Sequence, residues 1–451
     1  MTSAPRDAAE LLARLESGGI EHFWTTYHDY SGLGCTKSIP PEGFRSAVNT
    51  GAVFAVANLD MDILDRQPNT ATWLADSGDF LALPDPRSFT VLPRFPRTAR
   101  ANAWMRATDG SVWNGCPRTR LDRVVDELGS EGFVAQCALE PEFCLLKRTG
   151  ESEYEPINSS RMFTQAGLQE AQPFSSLVVD ELRAMGVTVG QLGKEYGPGQ
   201  YEMSIGHGQP VQAIDNYYSL KDAVRDIARE CGYVATFMPK PYANWAGNSL
   251  HVHISLWDLD EHANLTASAD DETSLSQTGL WFLGGLLHHA PALTGLGSPT
   301  VNSYKRLLPG SWAPANIYWG YGNRSGVARV PGVGNRRHIE YRSGDNSCNA
   351  ALFLTGLLAA GLDGIRQQLD PGPPFRGDVG HMSIEEMNEN GLAFLPRTLD
   401  EALKSLEADD VVAGAIGSEL LPHFLSVKRS ELDTYNLTVH PWERSTYLEV
   451  I

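Results

Sequence analysis

Residues 140–342 hold most of the side chains in this sequence that could do chemistry. Glu140-Pro-Glu142 sits inside an apolar run, Phe133 to Leu146. Residues two apart share one face of a strand, so both carboxylates point the same way. Two like charges side by side in a core are costly unless a cation or water stabilises them. An exposed edge strand is the plainer reading, and Pro141 suits it. Glu195 and Glu202 flank a Gly-Pro-Gly turn. A hairpin would set them on adjacent strands, although a polar loop has the same pattern. Residues 251–256 alternate strictly, placing His251, His253 and Ser255 on one face. Imidazole is a common metal ligand, but a single strand histidine is more often a packed core residue. Glu340 and Arg342 also share a strand face, as a simple ion pair or as part of a site. Arg324, Arg329, Arg336, Arg337 and Arg342 crowd into one short stretch of an otherwise acidic protein. Guanidinium groups bind phosphate and carboxylate through paired hydrogen bonds. Val327, Val330 and Val333 interleave the run, which argues against a merely solvated basic face.

These acids exceed what a zinc site uses, and there is neither a cysteine ligand set nor a His-Glu-x-x-His motif. Many oxygens with few nitrogens favour Mg²⁺ or Mn²⁺. Hard divalent ions beside arginines are the equipment of phosphoryl transfer from a nucleotide. No phosphate loop of the Gly-x-x-x-x-Gly-Lys-[Ser/Thr] type occurs, so an ATP site must be built differently. Residues 302–314 add the adjacent cations Lys305 and Arg306, then a Pro-Gly flap carrying Trp312 and no acid.

A chain of 451 residues favours two or more domains. Its 42% hydrophobic and 20% charged residues are those of a soluble globular protein. A net charge of −19 argues against nucleic-acid or anionic-membrane partners. The cysteines (35, 116, 137, 144, 231, 348) lack Cys-x-x-Cys spacing and read as reduced thiols of a cytoplasmic protein. No apolar leader or membrane-length run appears. Ala8 to Leu15 predicts a short amphipathic helix, and Phe23–Tyr27, Val53–Ala57 and Phe80–Leu83 read as strands of a small α+β domain. The Pro/Arg-rich stretch from Leu92 to Arg100 and Asp109-Gly110 place a boundary near 108, giving domains 1–108 and 109–451. Thr119 is expected to cap a helix bearing Leu121, Val124, Val125 and Leu128 and stopping at Gly129. Further helices are expected over 213–231, 276–290, 348–368 and 399–418. Strands mixed with helices, with acids on the strands, predict an α+β fold.

The order of these pieces resembles the glutamine synthetase family. The resemblance rests on Glu-Pro-Glu (140–142), Glu195 with Gly-Pro-Gly-Gln-Tyr-Glu202, and Ala-Thr-Phe-Met-Pro-Lys-Pro (235–241). His-Val-His (251–253), Asn-Ser-Tyr-Lys-Arg (302–306), Asn-Arg-Ser (323–325) and Ile-Glu-Tyr-Arg (339–342) complete it, with Trp442-Glu443 as a weaker late match. It implies a β-grasp-like N-terminal domain and a catalytic domain with a curved antiparallel sheet flanked by helices. It implies one Mn²⁺ or Mg²⁺ held by Glu142, Glu195 and Glu202, and a second by Glu140, His251 and Glu340. Arg306 would grip the α-carboxylate of glutamate, with Gly247 and His251 beside the substrate. Arg324 and Arg342 would stabilise phosphate and γ-carboxylate charge, with Ser255, Arg329 and Arg337 near ATP. The implied reaction forms γ-glutamyl phosphate, which an amine then attacks. The implied assembly is a homo-oligomer, a dodecamer of two hexameric rings, with each active site closed by the neighbouring subunit's N-terminal domain.

The sequence also departs from that family. Trp312 replaces the flap glutamate of ammonia-using members, and the Asp-Gly-Ser-Ser ammonium motif is missing around Asp60 and Asp62. Ala246 replaces an asparagine before Gly247, His338 replaces a frequent arginine, and no tyrosine lies between Tyr341 and Tyr435 for adenylylation. The expectation is therefore a ligase joining glutamate to an aromatic or small alkyl amine, with Trp312 in the amine pocket. An alkylamine would lose its proton to Asp60, Asp62 or water. An ammonia-using glutamine synthetase and a catalytically inactive regulator are the alternatives.

Overall fold

Pro5 to Ile451 are described here from a computed structural model of the chain. Asp7 caps the first helix, Ala8–Ser17, by accepting from the Glu10 N–H. Leu11 and Leu15 on its inner face pack with Phe23, Phe44 and Val48. That helix belongs to a six-stranded sheet ordered Gly34–Ile39, His22–His28, Phe95–Arg106, Asp79–Pro84, Ala52–Ala55, with Thr90–Leu92 on Phe95–Arg106. His22–His28 and Phe95–Arg106 run parallel, and the other pairings are antiparallel.

The second sheet has nine strands and positions the site. Its order is Trp319–Tyr321, Ala328–Val330, Ile339–Tyr341, Leu250–Trp257, Val134–Arg148, Gln200–Ile205, Val189–Lys194. Val234–Thr236 and Tyr154–Pro156 also pair with Val134–Arg148. All pairings are antiparallel except Trp319–Tyr321 with Ala328–Val330. Period-two alternation sends Ala135, Cys137, Leu139 and Phe143 into the core, where Leu121, Ile214 and Tyr217 from helices meet them. Glu140 and Glu142 are left on the opposite face. The fold is α+β, with a small β-grasp-like sheet and a larger curved sheet flanked by helices. One hydrophobic core reaches from Tyr27 to Leu425 across both sheets, giving the site a stiff floor.

The Glu-Pro-Glu strand is central, not an edge. Glu142 N–H donates to the Ser249 carbonyl, so the missing N–H of Pro141 faces the Gln200–Ile205 strand instead. The rungs to that strand end at Glu142–Glu202, which is why proline is tolerated. Local expectations needed other corrections. Cys116, not Thr119, is the cap of helix Pro117–Ser130, because Pro117 opens it and needs no N–H partner. The helix also runs one residue past Gly129. Val53–Ala57 is a strand only to Ala55 and then a 3₁₀ turn. The 399–418 helix is two, because the Asp409 side chain accepts from the Val411 and Val412 N–H groups and starts a new one. A further helix, Ala290–Gly297, follows Gln277–His288. No helix among the described residues is long and apolar enough to cross a membrane.

Candidate active site

Five neighbouring strands each contribute to one face. Arg329 pairs with Glu340, Glu340 with His253, His251 with Glu140, and Glu142 with Glu202. Glu195 follows the last residue of Val189–Lys194, and its N–H donates to the Gln200 carbonyl at 2.9 Å. Because Glu202 opposes Gly193, Glu195 and Glu202 share a face diagonally and are not direct partners. Buried Lys194 donates to the carbonyls of Glu195 and Gly197 at 2.6 and 2.7 Å and braces that turn.

His251 Nδ1 lies 3.6 Å from Glu140 Oε2 and 3.5 Å from Glu340 Oε1, yet it is buried without a hydrogen-bond partner. His253 Nε2 lies 3.3 Å from Glu140 Oε2, and its Nδ1 is 2.9 Å from His338 Nε2. Ligand atoms of Glu140, His253 and Glu340 lie within 4.8 Å of one another, as do those of Glu140, Glu202 and His251. Ser249 N–H donates to Glu142 Oε2 at 2.7 Å.

The electrostatics are uneven across this face. Burial, then the neighbouring Glu142, pushes the Glu195 carboxyl up to about 7. Burial, then Glu140, Glu142, Glu195 and Glu340, pushes Glu202 up to about 10. Burial would also raise Glu340, but Arg342, His251, His253 and Arg329 outweigh it and hold the carboxyl low. Burial would likewise raise Glu140, but the adjacent His251 and His253 outweigh it and hold the carboxyl low. Burial and Arg342 lower His251, whereas Glu140 raises His253 against its burial. Burial, then His253, pushes His338 down to about 4. Crowded carboxylates with an orphaned imidazole nitrogen fit hard divalent cations, which would relieve the repulsion.

Arginines ring the acids. Arg329 Nη1 donates to Glu340 Oε2 at 2.7 Å, and Arg342 Nη1 pairs with Glu340 Oε1. Arg342 Nη2 reaches the Trp312 carbonyl at 3.5 Å, tying the flap to the Glu340 strand. Arg306 is buried and donates to the carbonyls of Ser343 and Gly344. Nε–H groups of Arg306, Arg329 and Arg342 are buried without an acceptor. Gly247 makes room for the Arg306 stem: a Cβ there would collide with Arg306 Cγ and sit 2.7 Å from the Pro239 carbonyl oxygen. Arg324 is exposed, and its charge lowers Glu195 slightly. Trp312 is 56% exposed and holds φ at 58°, a left-handed conformation that costs a non-glycine residue.

Three other expected site residues make their contacts within the chain away from the glutamate cluster. Arg337 donates to the carbonyls of Val330 and Glu272 and lies over the Tyr321 ring, so its guanidinium braces the fold. Asp60 Oδ2 accepts from the Thr72 and Trp73 N–H groups, and Oδ1 lies 2.7 Å from His423 Nδ1. Asp62 accepts from the Leu64 and Arg66 N–H groups and pairs with the Arg66 side chain. Burial would raise both carboxyls, but these donors outweigh it and lower them. Among the described residues, no hydrogen bond or ion pair joins either aspartate to the glutamate cluster.

Sequence reasoning missed a cleft of about 350 Å³ beyond Ser255, lined by Gln136, His207, Gln212, Trp257 and Glu261. Ser255 Oγ accepts from Trp257 Nε1 at 2.9 Å and pairs with Gln136 across the sheet. The strict alternation that flagged Ser255 extends to Trp257, and that was the available signal.

Residues 114–447 match the glutamine synthetase catalytic domain. The chain belongs to the glutamine synthetase family. A glutamine synthetase of Thermus thermophilus is 34% identical over 98% of both chains. A glutamate–methylamine ligase of Methyloversatilis universalis is 33% identical over 99% of both. Among solved structures, a GmaS/ADP complex has a TM-score of 0.87 at 31% identity, covering 97% of this chain and 99% of that one. The chain is thus a glutamine synthetase-family ligase, and that family uses ATP with divalent cations, generally Mg²⁺ or Mn²⁺.

Proposed function

We propose that the protein joins the γ-carboxylate of glutamate to an organic amine, aromatic or small alkyl, at the expense of ATP and through γ-glutamyl phosphate. The flap carries this reading. Thr273 to Ile339 contains no acidic residue, so nothing on the flap can take a proton from ammonium. An arylamine is largely neutral at pH 7 and needs no strong base. The exposed Trp312 indole offers apolar surface to such an amine and cation–π attraction to an alkylammonium. The similarity to a glutamate–methylamine ligase supports the same choice.

In this reading Glu140, Glu142, Glu195, Glu202, His251 and Glu340 hold two or more divalent cations, which neutralise charge on the transferring phosphoryl group. Arg306 binds the glutamate α-carboxylate near Gly247, and Arg342 and Arg324 bind the reacting carboxylate and phosphate. The partnerless Nε–H groups of Arg306, Arg329 and Arg342 supply donors for those anions. The ATP base would lie by Trp257 in the cleft beyond Ser255, with its phosphates toward Arg329. Residues 1–108 and 109–451 would be the N-terminal and catalytic units. Exposed Ile63, Leu64 and Leu74 support burial against another copy, in a dodecamer of two hexameric rings.

The test is glutamate-dependent ADP release with ammonium and a panel of amines, with the product identified by mass. An apolar monoamine should give the highest kcat/KM; ammonium doing so would overturn the reading. The Thermus relative's name favours ammonia as the second reading, and the same panel separates the two.

A further inference from the structure

The His253–His338 pair determines where protons sit beside the acid cluster. His338 Nδ1 lies 2.8 Å from the Arg336 carbonyl oxygen. A carbonyl only accepts, so His338 carries its proton on Nδ1 and leaves Nε2 bare. That bare nitrogen is 2.9 Å from His253 Nδ1, which must therefore donate. His253 then turns a bare Nε2 toward Glu140 Oε2 at 3.3 Å. Two acceptors facing each other repel unless a cation or an added proton lies between them. The third side of the same space is Glu340, whose ligand atom lies within 4.8 Å of the other two.

We propose that His338 is a positioning residue that fixes the His253 tautomer, so that His253 Nε2 joins Glu140 and Glu340 in holding a divalent cation. The proposal rests on the reading that this cluster binds such cations. It concerns the residue at which this sequence departs from an arginine often found there. An arginine could only donate to His253 Nδ1. The His253 proton would move to Nε2, where it would hydrogen-bond Glu140 and block the cation. A partner that orients a liganding imidazole is typically worth about tenfold to a hundredfold in metal affinity.

The experiment is Mn²⁺ titration of the full-length protein, read by electron paramagnetic resonance, for wild type, His338→Arg, His338→Leu and His338→Gln. Glutamine offers an oxygen that accepts from His253 Nδ1. His338→Arg and His338→Leu should each weaken one class of Mn²⁺ site about tenfold. His338→Gln should stay within about threefold of wild type. Electron spin-echo spectra are then recorded in a His251→Gln background. They should keep an imidazole-nitrogen signal with the native His338 and with His338→Gln, and lose it with His338→Arg. Unchanged Mn²⁺ affinity in folded His338→Arg, or a retained nitrogen signal, would overturn the positioning role alone. Wild type that binds no Mn²⁺ would overturn the cation reading and this proposal with it.

Discussion

Asp60 and Asp62 are buried carboxylates surrounded by donors, whereas Glu195 and Glu202 are half-buried carboxylates surrounded by other carboxylates. At the first pair, backbone N–H groups, His423 and Arg66 use the available lone pairs and lower the acids. At the second, neighbouring negative charge raises them. The pair more deeply withdrawn from solvent is the one whose lone pairs are satisfied, so burial alone does not mark a site. Satisfied acids hold a fold together, and acids held together without partners wait for a cation.

The largest effect expected from this contrast is at Glu202. Glu202→Gln should cost roughly a thousandfold in kcat/KM, because the proposed cation site would lose a ligand. The same change should raise the melting temperature of the metal-free protein, because it removes repulsion. Calorimetry with and without Mn²⁺ reads both, and a metal-free protein that melts lower would break the contrast. Asp60→Ala should act oppositely. It strands the Thr72 and Trp73 N–H groups and His423, costing about 3 kcal/mol in urea unfolding, while Mn²⁺ affinity stays unchanged.

A pH series sharpens the comparison with a smaller effect. Glu195 and Glu202 have folded pKa values raised above 4.5, to about 7 and about 10, so their contribution is fully present below 4.5 and is lost as pH rises. Asp60 and Asp62 are lowered from 3.8, and their contribution is lost only as pH falls. The metal-free protein should therefore melt progressively lower from about pH 5 to pH 9, and saturating Mn²⁺ should flatten that slope. A flat metal-free profile would contradict the crowding. The smallest effect is at the flap: Trp312→Gly should gain up to about 1 kcal/mol by relieving a positive φ, measured by urea unfolding.

Much of the candidate site was legible because a strand encodes shared faces at period two. Glu140 with Glu142, His251 with His253, and Glu340 with Arg342 fell on one sheet face as that spacing implied. Register across strands was not legible, so the diagonal offset of Glu195 from Glu202 and the pairing of His253 with Glu340 had to be seen. The partners of Asp60 and Asp62, His423 above all, were not legible because they lie far away in the chain or on backbone atoms. Those of Arg337 were hidden for a similar reason: carbonyl acceptors carry no sequence signature. The Cys116 cap was hidden because proline at the first helical position outweighed the more familiar threonine signal.

The central proposal is that Trp312, on the flap tied to the Glu340 strand through Arg342, sets the nucleophile. Its most direct test is the ratio of kcat/KM for the best apolar monoamine to that for ammonium, in wild type and in Trp312→Glu. The account predicts a ratio well above one in wild type that falls roughly tenfold or more in the variant, about 1.4 kcal/mol of changed preference. The same ratio in both proteins, or a wild-type ratio below one, would contradict it.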